Sequence, residues 1–258
     1  MTAKHVTGER SRLWWCAQMD GEIIVEIKDS YALVTISRPE KLNSVTREML
    51  FSFKEQVSQI ANNPKVRAVI FTGAGDRSFS AGFDLETVKG LKGEKATEFF
   101  KTLERTVRGI RENRTCVTIA AVNGYAIGFG AMIACACDFR IFADTAVFRL
   151  PEVSLSIFPG GGAASNLMHL VGPARTKDIL MTGRKVSAKE ALQIGLADML
   201  VPKAEFMQKT EEYVNELLKN DHRILIRTKT LVDAMTGKDI SEADELETAY
   251  LDEWLREI

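Results

Sequence analysis

The residues best suited to chemistry lie in one stretch, VTIAAVNGYAIGFGAMIACACDFRIFADTAVFRLPEVSLSIFPGGGA, residues 117–163. An apolar, strand-like run from Val117 to Val122 is broken by Asn123-Gly124, and Gly128 and Gly130 follow on a second, looser turn. From Gly130 the sequence is small and apolar, which predicts a short buried helix. The first turn of a helix carries free backbone N–H groups and the positive end of the helix dipole, so it stabilises an anion. Glycines there let a substrate carbonyl approach the backbone closely. Further on, Pro151-Glu152 sets one carboxylate in an otherwise apolar segment. Anion-stabilising amides with one isolated carboxylate make a site that can hold a developing negative charge and move a proton.

Positioning that site requires the elements around it. Ile23–Ile27 and Tyr31–Ile36 read as strands of a hairpin joined at Lys28-Asp29-Ser30. Arg38 to Asn43 is a polar loop, and Thr46 is the N-cap of a helix to about Ala61, with Met49, Leu50, Phe53, Val57 and Ile60 on one face. Val66–Phe71 reads as a strand running into Thr72-Gly73-Ala74-Gly75. That glycine pair opens no dinucleotide fingerprint, because Ser78 stands where the third glycine belongs. Phe79 to Leu85 is another small-residue turn from which no helix opens directly. A helix over 94–111 carries Phe99, Leu103, Val107 and Ile110 on one stripe. Strand, turn, helix, strand over 66–122 implies a crossover with parallel pairing.

Residues 139–148 add short strands, and an apolar helix follows Gly160-Gly161-Gly162 through Leu170. Pro173 stands at the first position of the next helix, where its missing N–H costs nothing. Ser187–Glu190 and Ser241–Asp244 read as capping boxes. Past Ala204 the pattern is helical, and a composition shift near residue 203 divides a mixed body, 19–203, from a helical region, 204–258. Residues 1–18 read as a poorly ordered extension, or alternatively as a segment that docks Trp14 and Trp15 on a partner. No internal repeat is legible.

Composition narrows the function classes. At 45% hydrophobic residues the 258-residue chain can bury a full core. Its net charge of −1 argues against nucleic-acid binding, which draws on a basic surface. No apolar run reaches the length of a membrane span, so no membrane insertion is expected. Cys135 and Cys137 fall in the apolar helix and read as small buried hydrophobes, with no metal site. Sparse cysteine and the lack of an apolar leader suit a cytoplasmic protein. His5, His169 and His222 are scattered away from the glycine turns, which disfavours a Ser-His-Asp triad.

Taken together, several pieces resemble the crotonase, or enoyl-CoA hydratase/isomerase, family. They are Arg38-Pro39 with Lys41-Leu42-Asn43-Ser44, Phe79-Ser80-Ala81-Gly82-Phe83-Asp84-Leu85, Ile119 to Ala126, Cys137-Asp138, Pro151-Glu152 and Pro159-Gly160. The resemblance runs from about Gly21 to the C-terminus. It implies an α/β fold, a spiral of β-β-α turns with a C-terminal helical region that builds a homotrimer or hexamer. It also implies an acyl-coenzyme A substrate and no separate cofactor, coenzyme A being part of the substrate.

By that resemblance the thioester oxygen sits between the backbone N–H groups of Phe83 and Phe129, in turns framed by Ala81, Gly82, Gly128 and Gly130. The alternative for both rings is ordinary core packing. Backbones at Leu42 and Ser44 line the coenzyme A site. Family hydratases use two glutamates; Glu152 matches the second, and Met132 stands where the first would be. Methionine cannot accept a proton from water. The pattern resembles family isomerases, in which one carboxylate shuttles a proton between the alpha and gamma carbons. Enoyl-CoA isomerisation is therefore expected. Hydration comes next, then decarboxylation or thioester hydrolysis, then a non-catalytic RNA- or partner-binding homologue. A structural alternative for Glu152 is an ion pair with Arg149. Asp84 and Asp138 read as structural residues that cap turns or bind backbone amides.

Overall fold

The structure, a computed structural model, describes residues 20–257. The expectations for residues 1–18, including Trp14 and Trp15, lie outside the described residues, as do His5 and Cys16. Among the described residues ten strands and nine α-helices follow in chain order: β1 (Glu22–Lys28), β2 (Tyr31–Ser37), α1 (Arg47–Ala61), β3 (Ala68–Gly73), β4 (Ser78–Ser80), α2 (Leu85–Val88), α3 (Gly93–Arg111), β5 (Val117–Val122), β6 (Tyr125–Ile127), α4 (Phe129–Ala136), β7 (Phe139–Ala143), β8 (Val147–Arg149), α5 (Ala163–Thr182), β9 (Lys185–Ser187), α6 (Ala188–Gln193), β10 (Met199–Val201), α7 (Phe206–Leu217), α8 (His222–Met235) and α9 (Ile240–Leu255).

Apolar runs such as Val117–Val122 are buried on both faces, as strands of a covered parallel sheet must be. They form a six-stranded sheet in the order β1-β2-β3-β5-β7-β10, parallel except for the β1–β2 hairpin. A four-stranded sheet, β4-β6-β8-β9, is parallel except at β8–β9. Strands β3, β5 and β7 each enter the large sheet. Each is followed by a short strand of the small sheet and then by a helix. The repeat of β-β-α turns is thus structural, although no sequence repeat announces it: each turn keeps the connectivity while its side chains answer to different neighbours.

Several local readings hold. The Thr46 side chain caps α1 by accepting from the Met49 N–H, and the five apolar residues of its stripe are buried. β3 pairs parallel with β5, Ala68 opposite Val117. Gly172 interrupts α5 at φ 75°, and Pro173 begins the helix beyond the kink. Ser187 caps α6 by accepting from the Glu190 N–H, although the box is left half-formed because the Glu190 carboxylate pairs with Arg184. Cys116, Cys135 and Cys137 are free and buried.

Two readings are corrected. A one-turn helix, α2, does open directly after the turn at 79–84, because the Asp84 side chain accepts from the Glu86 N–H. The capping box of α9 is Asp239–Glu242. Ser241 lies inside the first turn, since Asp239 takes the extended backbone a cap requires and its partner Glu242 reaches back to it.

α4 is the centre of the molecule: every residue from Phe129 to Ala136 is buried. α7 joins the same core through Phe206 and Val214, with Leu218 at its end, and Leu225 and Ile226 of α8 pack against it. No helix among the described residues is long and apolar enough to cross a membrane.

Candidate active site

Two backbone turns and one carboxylate converge at the N-terminus of α4. The first turn, Ala81–Asp84, follows β4 and is laced to the loop Leu42–Val45. Ala81 N–H donates to the Leu42 carbonyl at 3.0 Å, Val45 N–H to Gly82 at 2.8 Å, and Asp84 N–H to Val45 at 3.0 Å. Ser80 Oγ donates to the Asn43 carbonyl at 2.8 Å. This lacing uses the amides on either side of Phe83. The Phe83 N–H faces the other way and has no protein acceptor among the described residues.

The second turn is Gly128 to Gly130. Gly128 adopts φ 52°, ψ −115°, a conformation closed to most side chains, and caps α4 without a side-chain bond. Its own N–H donates to the Arg149 carbonyl at 3.0 Å. Phe129 is the first residue of α4, so its N–H is one of the orphan donors of a helix start. No protein acceptor takes it among the described residues. Gly82, at φ 89°, brings the two turns together: a Cβ there would lie 2.9 Å from Ile127 O and 3.4 Å from Phe129 N. Gly130 backs onto Ser80, whose carbonyl would be 2.6 Å from a Cβ at that position.

Glu152 begins a short 3-10 helix, Glu152–Leu155, after Pro151. Its side chain reaches the same place: Oε1 is 3.7 Å from where a Gly128 Cβ would stand. The residue is only 7% exposed, and Oε2 is buried without a hydrogen-bond partner. Burial pushes its carboxyl above the ordinary value of 4.5, and its own backbone amide offsets this in part. No charged side chain contributes to that shift. The ion pair with Arg149 is absent; Arg149 Nε instead donates to the Gly183 carbonyl at 2.7 Å.

Met132 is buried one turn into α4, its N–H bonded to the Gly128 carbonyl at 2.9 Å. Its sulfur points toward Gly161, 3.5 Å from a Cβ built there. The rings of Phe83 and Phe129 stack at 4.7 Å, and Phe99 meets Phe83 edge-on at 4.8 Å. Phe129 packs as a core residue and Phe83, half-buried, packs against that core, while neither backbone N–H has a protein acceptor among the described residues. Leu42 and Asn43 take left-handed backbone at φ 53° and 56°, and Ser44 is buried beside them. Both backbone polar groups of Leu42 are bonded inside the protein, to Pro39 and Ala81.

The loop reading assigned no role to Arg38 or Asn43, which hold these turns in place. Asn43 accepts from the Arg38 N–H at 3.0 Å and donates to Ala74 O and Ser78 O. Asp138, read as structural, accepts from the Thr118 N–H at 2.7 Å and also pairs with Lys229 at 2.7 Å. Two amides without a protein acceptor among the described residues, near a buried carboxylate, are the kind of groups that can stabilise an oxyanion while a proton is moved.

Known proteins match along nearly the whole chain. Residues 26–256 fit the family model for enoyl-CoA hydratase/isomerase. A crotonyl-CoA hydratase of Syntrophomonas wolfei is 35% identical over 225 residues, covering 87% of this chain and 86% of that protein. A short-chain-enoyl-CoA hydratase of Clostridium acetobutylicum is 37% identical over 208 residues, 77% of this chain and 76% of that one. Among solved structures, an enoyl-CoA hydratase from Bacillus anthracis superposes with a TM-score of 0.85 at 29% identity, covering 90% of each chain. A Thermobifida fusca protein solved in complex with CoA superposes at 0.82 with 28% identity, covering 91% of this chain and 93% of that one. Sequence, spiral fold and these likenesses agree: the chain is an enzyme of the enoyl-CoA hydratase/isomerase family, in the crotonase superfamily.

Proposed function

We propose that this enzyme isomerises enoyl-CoA thioesters, moving a double bond from the 3- to the 2-position with Glu152 as its single acid-base group. The backbone N–H groups of Phe83 and Phe129 bind the thioester oxygen. Loss of the alpha proton to Glu152 turns that carbonyl into an enolate, and both donors strengthen on the charge that forms. One lost donor in a comparable hole costs about 3–4 kcal/mol of transition-state stabilisation. Glu152 then returns the proton at the gamma carbon. The observation that carries this reading is a lone buried carboxylate with an unpartnered oxygen beside Gly128, and a methionine one turn along the helix.

The acyl-CoA class is supported by the Thermobifida fusca complex with CoA. A homotrimer or hexamer is supported by exposed apolar side chains on the later helices, among them Met168, Met181, Val232 and Leu251. The second reading is hydration, favoured by the names of the Syntrophomonas and Clostridium relatives. It requires a water holder other than Met132.

The test is Glu152→Gln, assayed by the absorbance of the conjugated thioester formed from a 3-enoyl-CoA. Turnover should fall by about 10²–10⁴-fold, the worth of a positioned acid-base group, with acyl-CoA affinity retained. Full activity in the variant contradicts the proposal.

A further inference from the structure

Arg38 is the most completely buried charge near the site, its side chain 3% exposed, and no step of the chemistry uses it. Its guanidinium donates to Ser44 Oγ at 3.0 Å and to Asp84 Oδ2 at 2.6 Å, and a further pair joins it to Asp20. The two inner acceptors belong to different arms of the same cradle. Ser44 lies in the loop 42–45, in which Leu42 and Asn43 both hold left-handed backbone. Such backbone costs on the order of 1 kcal/mol or more at a non-glycine residue and persists only where the surroundings over-determine it. Asp84 directly follows Phe83 and caps α2 through its other oxygen, Glu86 N–H to Oδ1 at 3.0 Å. The arms are also joined by three backbone bonds, Ala81–Leu42, Val45–Gly82 and Asp84–Val45, and Ser80 Oγ at the end of β4 donates to the Asn43 carbonyl. Arg38 adds the side-chain bridge between Ser44 and Asp84.

From this bridge we infer that Arg38 is a positioning residue: it fixes the loop 42–45 against the turn 81–84 and so sets the direction of the Phe83 N–H. A planar guanidinium can hold two acceptors at fixed angles, which an ammonium cannot. The path from Arg38 to the reacting atoms runs through Asp84 and its neighbour Phe83. The inference rests on the proposed role of the Phe83 amide as an oxyanion donor.

The test reads the donor directly. Bound but-2-enoyl-CoA labelled with carbon-13 at the thioester carbonyl is observed by infrared difference spectroscopy, since hydrogen bonds to the oxygen lower the carbonyl frequency. Turnover of a 3-enoyl-CoA is measured on the same proteins. In Arg38→Lys and Arg38→Gln the red shift of the bound carbonyl should shrink and kcat should fall by about 10- to 100-fold, the effect of a small misplacement. KM should change less than kcat: loop 42–45 also lines the proposed coenzyme A site, but the oxyanion contact is made most strongly in the transition state. Asp20→Asn, which removes an ion pair from the same guanidinium but neither arm, should leave both readouts unchanged. If the Arg38 variants fail to fold, Ser44→Ala and Asp84→Asn each remove one arm and should each reduce the shift.

A wild-type carbonyl frequency in Arg38→Lys or Arg38→Gln, or in both single-arm variants, overturns the inference. So does an equal loss in Asp20→Asn, which would make the effect a general ion-pair loss. If the wild-type protein itself shows no red shift on binding, the oxyanion reading fails first, and the inference falls with it.

Discussion

The rings of Phe83 and Phe129 stack with their centroids 4.7 Å apart and their planes 16° from parallel. They lie on different turns, one after β4 and one opening α4, and each carries a backbone N–H with no protein acceptor among the described residues. Packing the side chains together thereby fixes two amides relative to one another. Phe53 extends the stack, edge-on to Phe129 at 6.1 Å.

Removing one ring tests that coupling. Phe129→Ala leaves the amide in place but empties a fully buried site, and should cost about 3–5 kcal/mol of stability in chemical denaturation. Phe129→Leu refills part of the volume and should recover much of it. A Phe129→Ala protein as stable as wild type would show that the stack carries little.

The pH dependence follows from Glu152. Its carboxyl is raised above 4.5 by burial. As a base it must be ionised, so the isomerisation rate should rise with pH and level off above the raised value, with a midpoint higher than 4.5. Stability runs the opposite way. The folded state holds this proton more tightly than the unfolded chain, so the contribution is full below about 4.5 and is lost as pH rises through the folded value. Glu152→Gln should abolish that part of the slope. Denaturation curves across this range on both proteins check the sign.

Met132 separates the two candidate reactions. Met132→Glu restores a carboxylate in a buried position, 6% exposed in the native protein. It should cost at least about 1–3 kcal/mol, as an unpaired buried polar group does, and it should bring formation of 3-hydroxyacyl-CoA from a 2-enoyl-CoA. Met132→Leu should keep isomerisation. Product analysis distinguishes the two variants.

Gly82 is where the two turns touch. Alanine there meets Ile127 O at 2.9 Å and would have to adopt φ 89°. Gly82→Ala should destabilise by more than about 1 kcal/mol and should lower kcat further than a neutral surface change, because separating the turns moves both amides. A thermal melt combined with turnover measures the two effects.

Much of this was legible from local pattern. The Thr46 cap, the stripe from Met49 to Ile60 and the strand Val117–Val122 follow from spacing, since each depends on near neighbours in the chain. Glu152 was legible because a carboxylate between apolar residues is chemically conspicuous. The proposed donors, the amides of Phe83 and Phe129, were reached through resemblance, as a backbone amide leaves no trace in side-chain type. The bridge of Arg38 was not legible at all: Asp84 lies 46 positions away, and only the fold brings them to 2.6 Å. The start of α9 was misplaced by two residues because Ser241 and Asp239 each stand three positions before an acidic residue. Only backbone conformation chooses between them.

The most direct test of the central claim is a product analysis in water enriched in oxygen-18. The purified protein is incubated separately with a 3-enoyl-CoA and a 2-enoyl-CoA, and products are identified by mass spectrometry. A single-glutamate isomerase forms 2-enoyl-CoA without gaining label and leaves the 2-enoyl substrate without added water. Labelled 3-hydroxyacyl-CoA at an enzymatic rate would contradict the claim and make the protein a hydratase whose water is held without a carboxylate at position 132.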